Sequence, residues 1–132
     1  MPDLQSIELS ESYLNKAFQT LQRIPDYIKM QDYIVAANRS YYAAFYALKA
    51  VEILDNYDSK KHSGVISQFR KKYVKTGITT VRYSDIIGKL QDSREIVDYN
   101  IVADFSEQDV IDLYQLSLDF VNEMQRIVKQ KI

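Results

Sequence analysis

Apolar residues recur every three or four positions in the long segments of this chain, a spacing that places them on one face of an α-helix. The first predicted helix covers about residues 9–24 and ends at Pro25, because the residue before a proline disfavours helical backbone angles. The second begins at Tyr27 or Tyr33 and ends near Leu54. Its many alanines give high helix propensity and let neighbouring helices approach closely. The pattern therefore predicts that this second helix is the centre of the fold.

Polar, helix-competing residues at 55–59 predict a loop after the second helix. A shorter helix is predicted over about residues 62–74, ending before Gly77, since glycine commonly follows a helix C-terminus. Residues 78–81 are β-branched but have no partner strand in the sequence. We predict an extended connector there.

Two further helices complete the pattern, one over about residues 84–99 and a last one that carries its apolar stripe to the chain end. Ser106 and Asp109 have the spacing of a capping box and mark the start of the last helix. With only three glycines and two prolines, the chain has too few turn formers for a β-sandwich or barrel. We predict an all-α, up-and-down bundle of about four to five helices, one domain over residues 1–132 with its core at about 10–130.

The charges nearly balance, with 17 basic against 18 acidic residues and a formal charge of -1. Such a chain has no overall positive field to attract nucleic acid, so any nucleic-acid binding must be local. Basic residues concentrate in segment 60–75, which we interpret as a solvated face.

The chain has no cysteine and one histidine, which excludes disulfides, thiolate zinc sites and histidine-rich metal sites. We predict no cofactor and no metal. No stretch of about 18 apolar residues is long enough to span a membrane. The first twelve residues lack the basic and apolar regions of a secretory signal, so a cytoplasmic location is expected.

The most distinctive stretch is residues 38–46 of the second helix. If Tyr41 and Phe45 face the core, then helical spacing places Arg39, Tyr42 and Tyr46 together on the adjoining face. A guanidinium binds phosphate bidentately and a tyrosine ring stacks on bases, which suits a nucleotide or RNA ligand. The alternative is structural, with Arg39 lying over the tyrosine rings as a cation-π and salt-bridge element.

Two other positions are candidates for the same site. Arg94 and Asp98 are four residues apart and could pair on one helix face, which in a solvated helix contributes only about 0.3 to 0.5 kcal/mol. His62 is the one side chain whose unperturbed pKa lies near neutrality, although a position just before Ser63 and Gly64 also suits a simple loop or capping role. We predict no catalytic residue among them.

Three stretches together resemble small prokaryotic HEPN-domain proteins: residues 36–50, residues 61–66 with their His-Ser pair, and residues 94–99 with the order Arg-Glu-x-x-Asp-Tyr. The resemblance covers about residues 10 to 130. It implies a helical bundle that forms a homodimer and often works with a minimal nucleotidyltransferase, as a toxin or an accessory subunit. In that setting Arg39, Tyr42 and Tyr46 would bind phosphate or base, Arg94 and Asp98 would order the groove, and Tyr99 and His62 would flank it.

Many HEPN proteins are metal-independent ribonucleases in which a histidine follows an arginine after four to six residues. The corresponding positions after Arg94 are Tyr99, Asn100 and Ile101, so the proton-transferring histidine is missing there. We therefore expect a nucleotide- or RNA-binding accessory module with little or no catalysis. A divergent metal-independent ribonuclease toxin, with Arg94 holding the scissile phosphate, and a purely structural partner subunit are the alternatives.

Overall fold

The computed structural model describes residues 2–99 and 104–132, with the backbone alone at 97–99. These ranges contain five α-helices and no strand, so the predicted all-α bundle is confirmed. The helices are α1 (Leu4–Lys29), α2 (Tyr33–Ile53), α3 (His62–Phe69), α4 (Val81–Tyr99) and α5 (Glu107–Lys131), and a π-helical turn (Arg70–Val74) continues α3. Over the described ranges, no helix is both long enough and apolar enough to cross a bilayer.

Helix α2 is the central helix, as its alanines predicted. All six alanines between positions 36 and 50 are fully buried, and α1, α4 and α5 pack around them. Two buried serines fasten the outer helices to the backbone of α2. Ser10 of α1 donates to the carbonyl of Ala50 at 2.7 Å, and Ser117 of α5 donates to that of Ser40 at 2.7 Å. Small side chains let these backbones come close enough for such bonds.

The prediction that Pro25 ends the first helix is wrong, because α1 continues through it to Lys29. A proline costs the helix one hydrogen bond, but Tyr27 and Ile28 beyond it pack against the core and hold the last turn in place. The chain reverses at Gln31, whose φ is 61°. Tyr27 therefore belongs to α1, and the second helix begins at the other predicted position, Tyr33.

The later elements agree with the sequence pattern except around residues 70–83. The predicted helix over residues 62–74 ends in the π-helical turn, and α4 begins at Val81, three residues before the predicted start. The predicted extended connector over residues 78–81 is wrong, because residues 78–79 form a bend and Val81 belongs to α4. Gly77 itself has a φ of 81°, the left-handed geometry that glycine adopts without strain. The capping box is confirmed: Ser106 N–H donates to Asp109 at 2.9 Å, and Asp109 N–H donates to the Ser106 hydroxyl at 3.1 Å.

Candidate functional site

The α2 side chains divide into a buried row and an adjoining half-buried row, as helical spacing predicted. Tyr41 is fully buried and Phe45 is 8% exposed, whereas Arg39, Tyr42 and Tyr46 are half-buried. The ring centroids of Tyr42 and Tyr46 lie 6.0 Å apart. The half-buried row therefore presents one arginine and two tyrosine rings along a single helix face.

The loop after α2 places His62 over this helix. Lys49 of α2 forms an ion pair with Asp58 and donates to the Ser59 carbonyl at 3.3 Å, which draws the loop back onto the helix. Gly64 allows the loop to approach α3, since a Cβ at this position would lie 2.5 Å from the Ser59 hydroxyl oxygen. Together these contacts fix the start of α3, where His62 is the first helical residue.

The His62 ring lies among the aromatic side chains of α2. It stacks on Phe45 with a centroid distance of 4.1 Å, and Nδ1 lies 2.7 Å from the Tyr41 hydroxyl. Tyr42 meets the same ring edge-on at 5.8 Å. The alternative that gave His62 only a loop or capping role is wrong, because Lys61 occupies the N-cap position, His62 is the first helical residue, and its imidazole packs on the α2 aromatics.

Two guanidinium groups converge on the Tyr42 ring. The central carbon of Arg39 is 5.0 Å from its centroid, and that of Arg94, on α4, is 5.8 Å away. Arg94 also lies 5.5 Å from the Tyr41 ring. Asn38 orients Arg39 by accepting from its Nε at 3.0 Å and its Nη2 at 2.8 Å.

We refer to this group as the Tyr42 cluster: Arg39, Tyr41, Tyr42, Phe45, His62 and Arg94. It draws side chains from α2, α3 and α4, and its first and last members, Arg39 and Arg94, are 55 positions apart in the sequence. Of the predicted site residues, the structure thus brings together Arg39, Tyr42, His62 and Arg94, with Tyr46 adjoining Tyr42. Asp98 and Tyr99 lie in the last turn of α4 with side chains outside the described residues, so their predicted roles stay predictions.

Sequence reasoning missed Lys16 of α1. Its ammonium lies 4.5 Å from the centroid of the Tyr46 ring, a cation-π distance. An exposed lysine in the polar stripe of an amphipathic helix carries no local sign of such a contact. The pairing depends on how α1 packs against α2, which spacing within one helix does not reveal.

Sequence reasoning also missed a buried acidic pair at the end of α2. Glu52 is fully buried, and among the described residues neither of its carboxylate oxygens accepts a hydrogen bond. Burial raises the pKa of Glu52 to about 8, Lys49 opposes that shift, and nearby Asp55 adds to it. Burial alone would also raise the pKa of Asp55, but hydrogen bonds from Lys131, Tyr73 and Lys72 hold it below its usual range.

The Tyr42 cluster combines side-chain types that in other proteins bind anions and stack on rings. Arginine supplies a planar fork of donors for phosphate, and tyrosine faces stack on bases. In the described part of the chain, no group of three or more histidine or acidic side chains is placed to hold a metal ion.

Comparison with known proteins gives a family and several relatives. The HEPN domain profile matches residues 10–127. A Methanocaldococcus jannaschii protein named "Putative toxin MJ0142" is 26% identical over 121 residues, covering 92% of this chain and 82% of its own length. A UPF0332 protein of Thermotoga maritima is 29% identical over 94 residues, 71% of each chain. "Putative toxin MJ0605" of M. jannaschii is 32% identical over 95 residues, covering 72% of this chain and 70% of its own.

Proposed function

This chain belongs to the HEPN domain family, and on that premise we propose that it is a module that binds a nucleotide or RNA and has little or no catalysis of its own. The binding surface is the Tyr42 cluster with the adjoining Tyr46. The module acts as a homodimer and as an accessory subunit of a minimal nucleotidyltransferase, the partner that the family resemblance implies.

The observation that carries the proposal is the position of Arg39 and Arg94 at one tyrosine ring. Their guanidinium carbons lie 5.0 and 5.8 Å from the Tyr42 centroid. An arginine beside a tyrosine ring places charge-assisted donors for a phosphate next to a surface on which a base can stack. Because Tyr42 is half-buried, part of its ring remains open for a base to stack.

The test is equilibrium binding of a labelled, unstructured oligoribonucleotide, followed by fluorescence anisotropy in EDTA. Replacing Arg39 with Ala should weaken binding by about 1 to 3 kcal/mol, or about fivefold to 150-fold, if its hydrogen bonds are charge-assisted. The matched control is Arg82→Ala, which removes an exposed arginine at the start of α4 that pairs with Asp119. Equal affinities of the parent and Arg39→Ala, with the fold intact, would return Arg39 to a structural role.

A second function, a metal-independent ribonuclease, is favoured by one specific observation. His62 and Arg94 both contact the rings of Tyr41 and Tyr42, so the chain's one histidine lies against the same two tyrosines as the arginine that would hold a scissile phosphate. The name "Putative toxin" of two relatives is compatible with this activity. In such a reaction the RNA 2′-hydroxyl attacks phosphorus and gives its proton to a base, while the departing 5′ oxygen receives one from an acid.

This function is the second candidate because the chain has one histidine and the reaction needs two proton transfers. One imidazole can serve as base or as acid in a single event, so the other proton transfer needs another group. Arginine stays protonated near neutral pH and is a poor proton carrier, with a pKa above about 12. A second copy of the chain would have to contribute its own histidine.

A further inference from the structure

A pocket of about 220 Å³ lies between α1 and the start of α2. We call it the α1 pocket, and it is lined by Lys16, Gln19, Thr20, Arg23, Tyr27 and Arg39. Three of these six side chains are cations and none is a carboxylate. The rest supply an amide, a hydroxyl and a phenol. The lining therefore combines positive charge with neutral hydrogen-bonding groups, which is the composition expected of a site for an anion.

Among the described residues, no carboxylate neutralises the pocket cations, whereas five other basic residues are paired in this way. Several bases are neutralised by carboxylates: Lys49 by Asp58, Lys72 and Lys131 by Asp55, Arg82 by Asp119, and Arg126 by Glu123. Within the described ranges, Lys16, Arg23 and Arg39 form no ion pair with a carboxylate. In a chain with a formal charge of -1 and 18 acidic residues, three unneutralised cations around one pocket are a local excess of positive charge.

The α1 pocket adjoins the Tyr42 cluster through a shared residue, Arg39. Arg39 belongs to both, since it lines the pocket and lies 5.0 Å from the Tyr42 centroid. Lys16 also lines the pocket, and its ammonium lies 4.5 Å from the Tyr46 ring. The two tyrosine rings are therefore flanked by the pocket cations, while Arg94 and His62 approach Tyr42 from α4 and α3.

We propose that the α1 pocket binds a backbone phosphate of a single-stranded RNA whose neighbouring bases stack on Tyr42 and Tyr46. This inference rests on the proposed function and narrows its ligand from nucleotides in general to an oligoribonucleotide. The pocket cations Lys16 and Arg39 lie beside two successive rings, Tyr46 and Tyr42, so the surface offers one phosphate site next to two stacking positions. A mononucleotide supplies one base, whereas a strand supplies a base and a phosphate at every step.

The test compares ligands and charge variants by fluorescence anisotropy and competition in EDTA. The ligands are a labelled single-stranded RNA octamer, with ATP, AMP and inorganic phosphate as competitors. The pocket variant is Lys16→Gln with Arg23→Gln, two exposed residues outside the core. The control variant is Lys75→Gln with Lys129→Gln, which removes the same charge from exposed positions that contact neither the pocket nor the cluster. Circular dichroism and thermal unfolding of each variant check the fold.

We expect the parent to bind the octamer at least tenfold more tightly than ATP or AMP. The pocket variant should lose about tenfold or more in octamer affinity, while the control changes little. If both pocket residues contact phosphates, the slope of log K against log salt should be shallower by about 1.4 in the pocket variant than in the parent, because each phosphate contact on a single strand contributes about 0.7.

The possible failures are distinguishable. If the parent binds neither RNA nor nucleotide, the proposed function and this inference both fail. If the parent binds RNA and the pocket variant keeps its affinity and salt slope, the α1 pocket is not a phosphate site although the proposed function stands. If ATP or inorganic phosphate binds as tightly as the octamer, and the pocket variant loses that binding, the ligand is a free phosphate compound and the inference of a strand is wrong.

Discussion

The hydroxyl oxygen of Tyr41 lies 2.7 Å from Nδ1 of His62, joining a fully buried residue of α2 to the first residue of α3. This bond fixes where the imidazole lies relative to the Tyr42 cluster. It also gives a buried phenol a hydrogen-bonding partner, without which its burial would be costly.

Tyr41→Phe should lower the free energy of unfolding by about 1 kcal/mol, because it removes the hydroxyl and keeps the ring. A double-mutant cycle with His62→Ala, measured by urea unfolding, should give a coupling of about 0.5 to 1.5 kcal/mol. Tyr46→Phe is the control, since its hydroxyl forms no hydrogen bond to any residue that the structure describes and its ring contact with Lys16 is kept. Strictly additive effects of Tyr41→Phe and His62→Ala would show that the bond does not stabilise the fold.

Glu52 should make the protein less stable as the pH rises. Its pKa is raised to about 8 in the folded state from an ordinary 4.5. Between these values the unfolded chain releases a proton that the folded chain keeps, so stability falls with rising pH by up to about 1.4 kcal/mol per unit. Below pH 4.5 both states are protonated at this group, and it contributes no dependence.

Glu52→Gln tests this directly, because an amide does not titrate. Urea unfolding at pH 5 and pH 8 should show a steeper loss of stability in the parent than in the variant, with the variant the more stable at pH 8. Glu11→Gln, at an exposed position of α1, should keep the slope of the parent. Identical slopes for the parent and Glu52→Gln would contradict the raised pKa.

The protein should form a homodimer in solution. The family resemblance implies it, and large apolar side chains remain exposed at the surface, among them Leu4 at 72%, Val81 at 66% and Met30 at 65%. Light scattering should give about 31 kDa, twice the 15.4 kDa chain, at micromolar concentrations. A mass near 15.4 kDa across that range would refute the dimer.

Ribonuclease activity should be absent or very weak. We expect unstructured RNA incubated in EDTA to be cleaved no faster by the parent than by Arg94→Ala or His62→Ala, because one histidine per chain leaves a proton transfer unassisted and each such transfer is worth about 10² to 10⁴-fold. Gel analysis of end-labelled RNA measures the rate. Cleavage by the parent that is lost in one folded variant would make the ribonuclease the primary function.

Periodicity within single helices predicted much of this molecule. The stripe of α5 and its Ser106–Asp109 capping box follow from local spacing, and so does the shared face of Arg39, Tyr42 and Tyr46. Such features depend on neighbours within four residues, which a sequence displays directly. The Pro25 prediction failed because packing of the following turn against the core outweighed a local penalty, and local rules contain no term for that packing.

Features that depend on two helices at once were not predicted. In the sequence, Lys16 and Arg23 look like ordinary exposed residues of α1. Their place in a pocket depends on the packing of α1 beside Arg39. Glu52 likewise occupies a helix position that spacing alone does not mark as buried. His62 was identified by its chemistry. Its contact with the Tyr42 ring, which Arg94 also contacts, depends on the path of the loop after α2.

The bond from Ser117 to the carbonyl of Ser40 spans 77 residues of chain, whereas the bond from Ser10 to Ala50 spans 40. Loop-closure entropy rises with the length of chain enclosed, and contacts distant in sequence slow folding. Docking of α5 onto α2 therefore costs more chain entropy than formation of the α1–α2 hairpin. All residues that line the α1 pocket belong to that hairpin, so the pocket can form before α3, α4 and α5 pack. The Tyr42 cluster forms only after α3 and α4 have packed, because they carry His62 and Arg94.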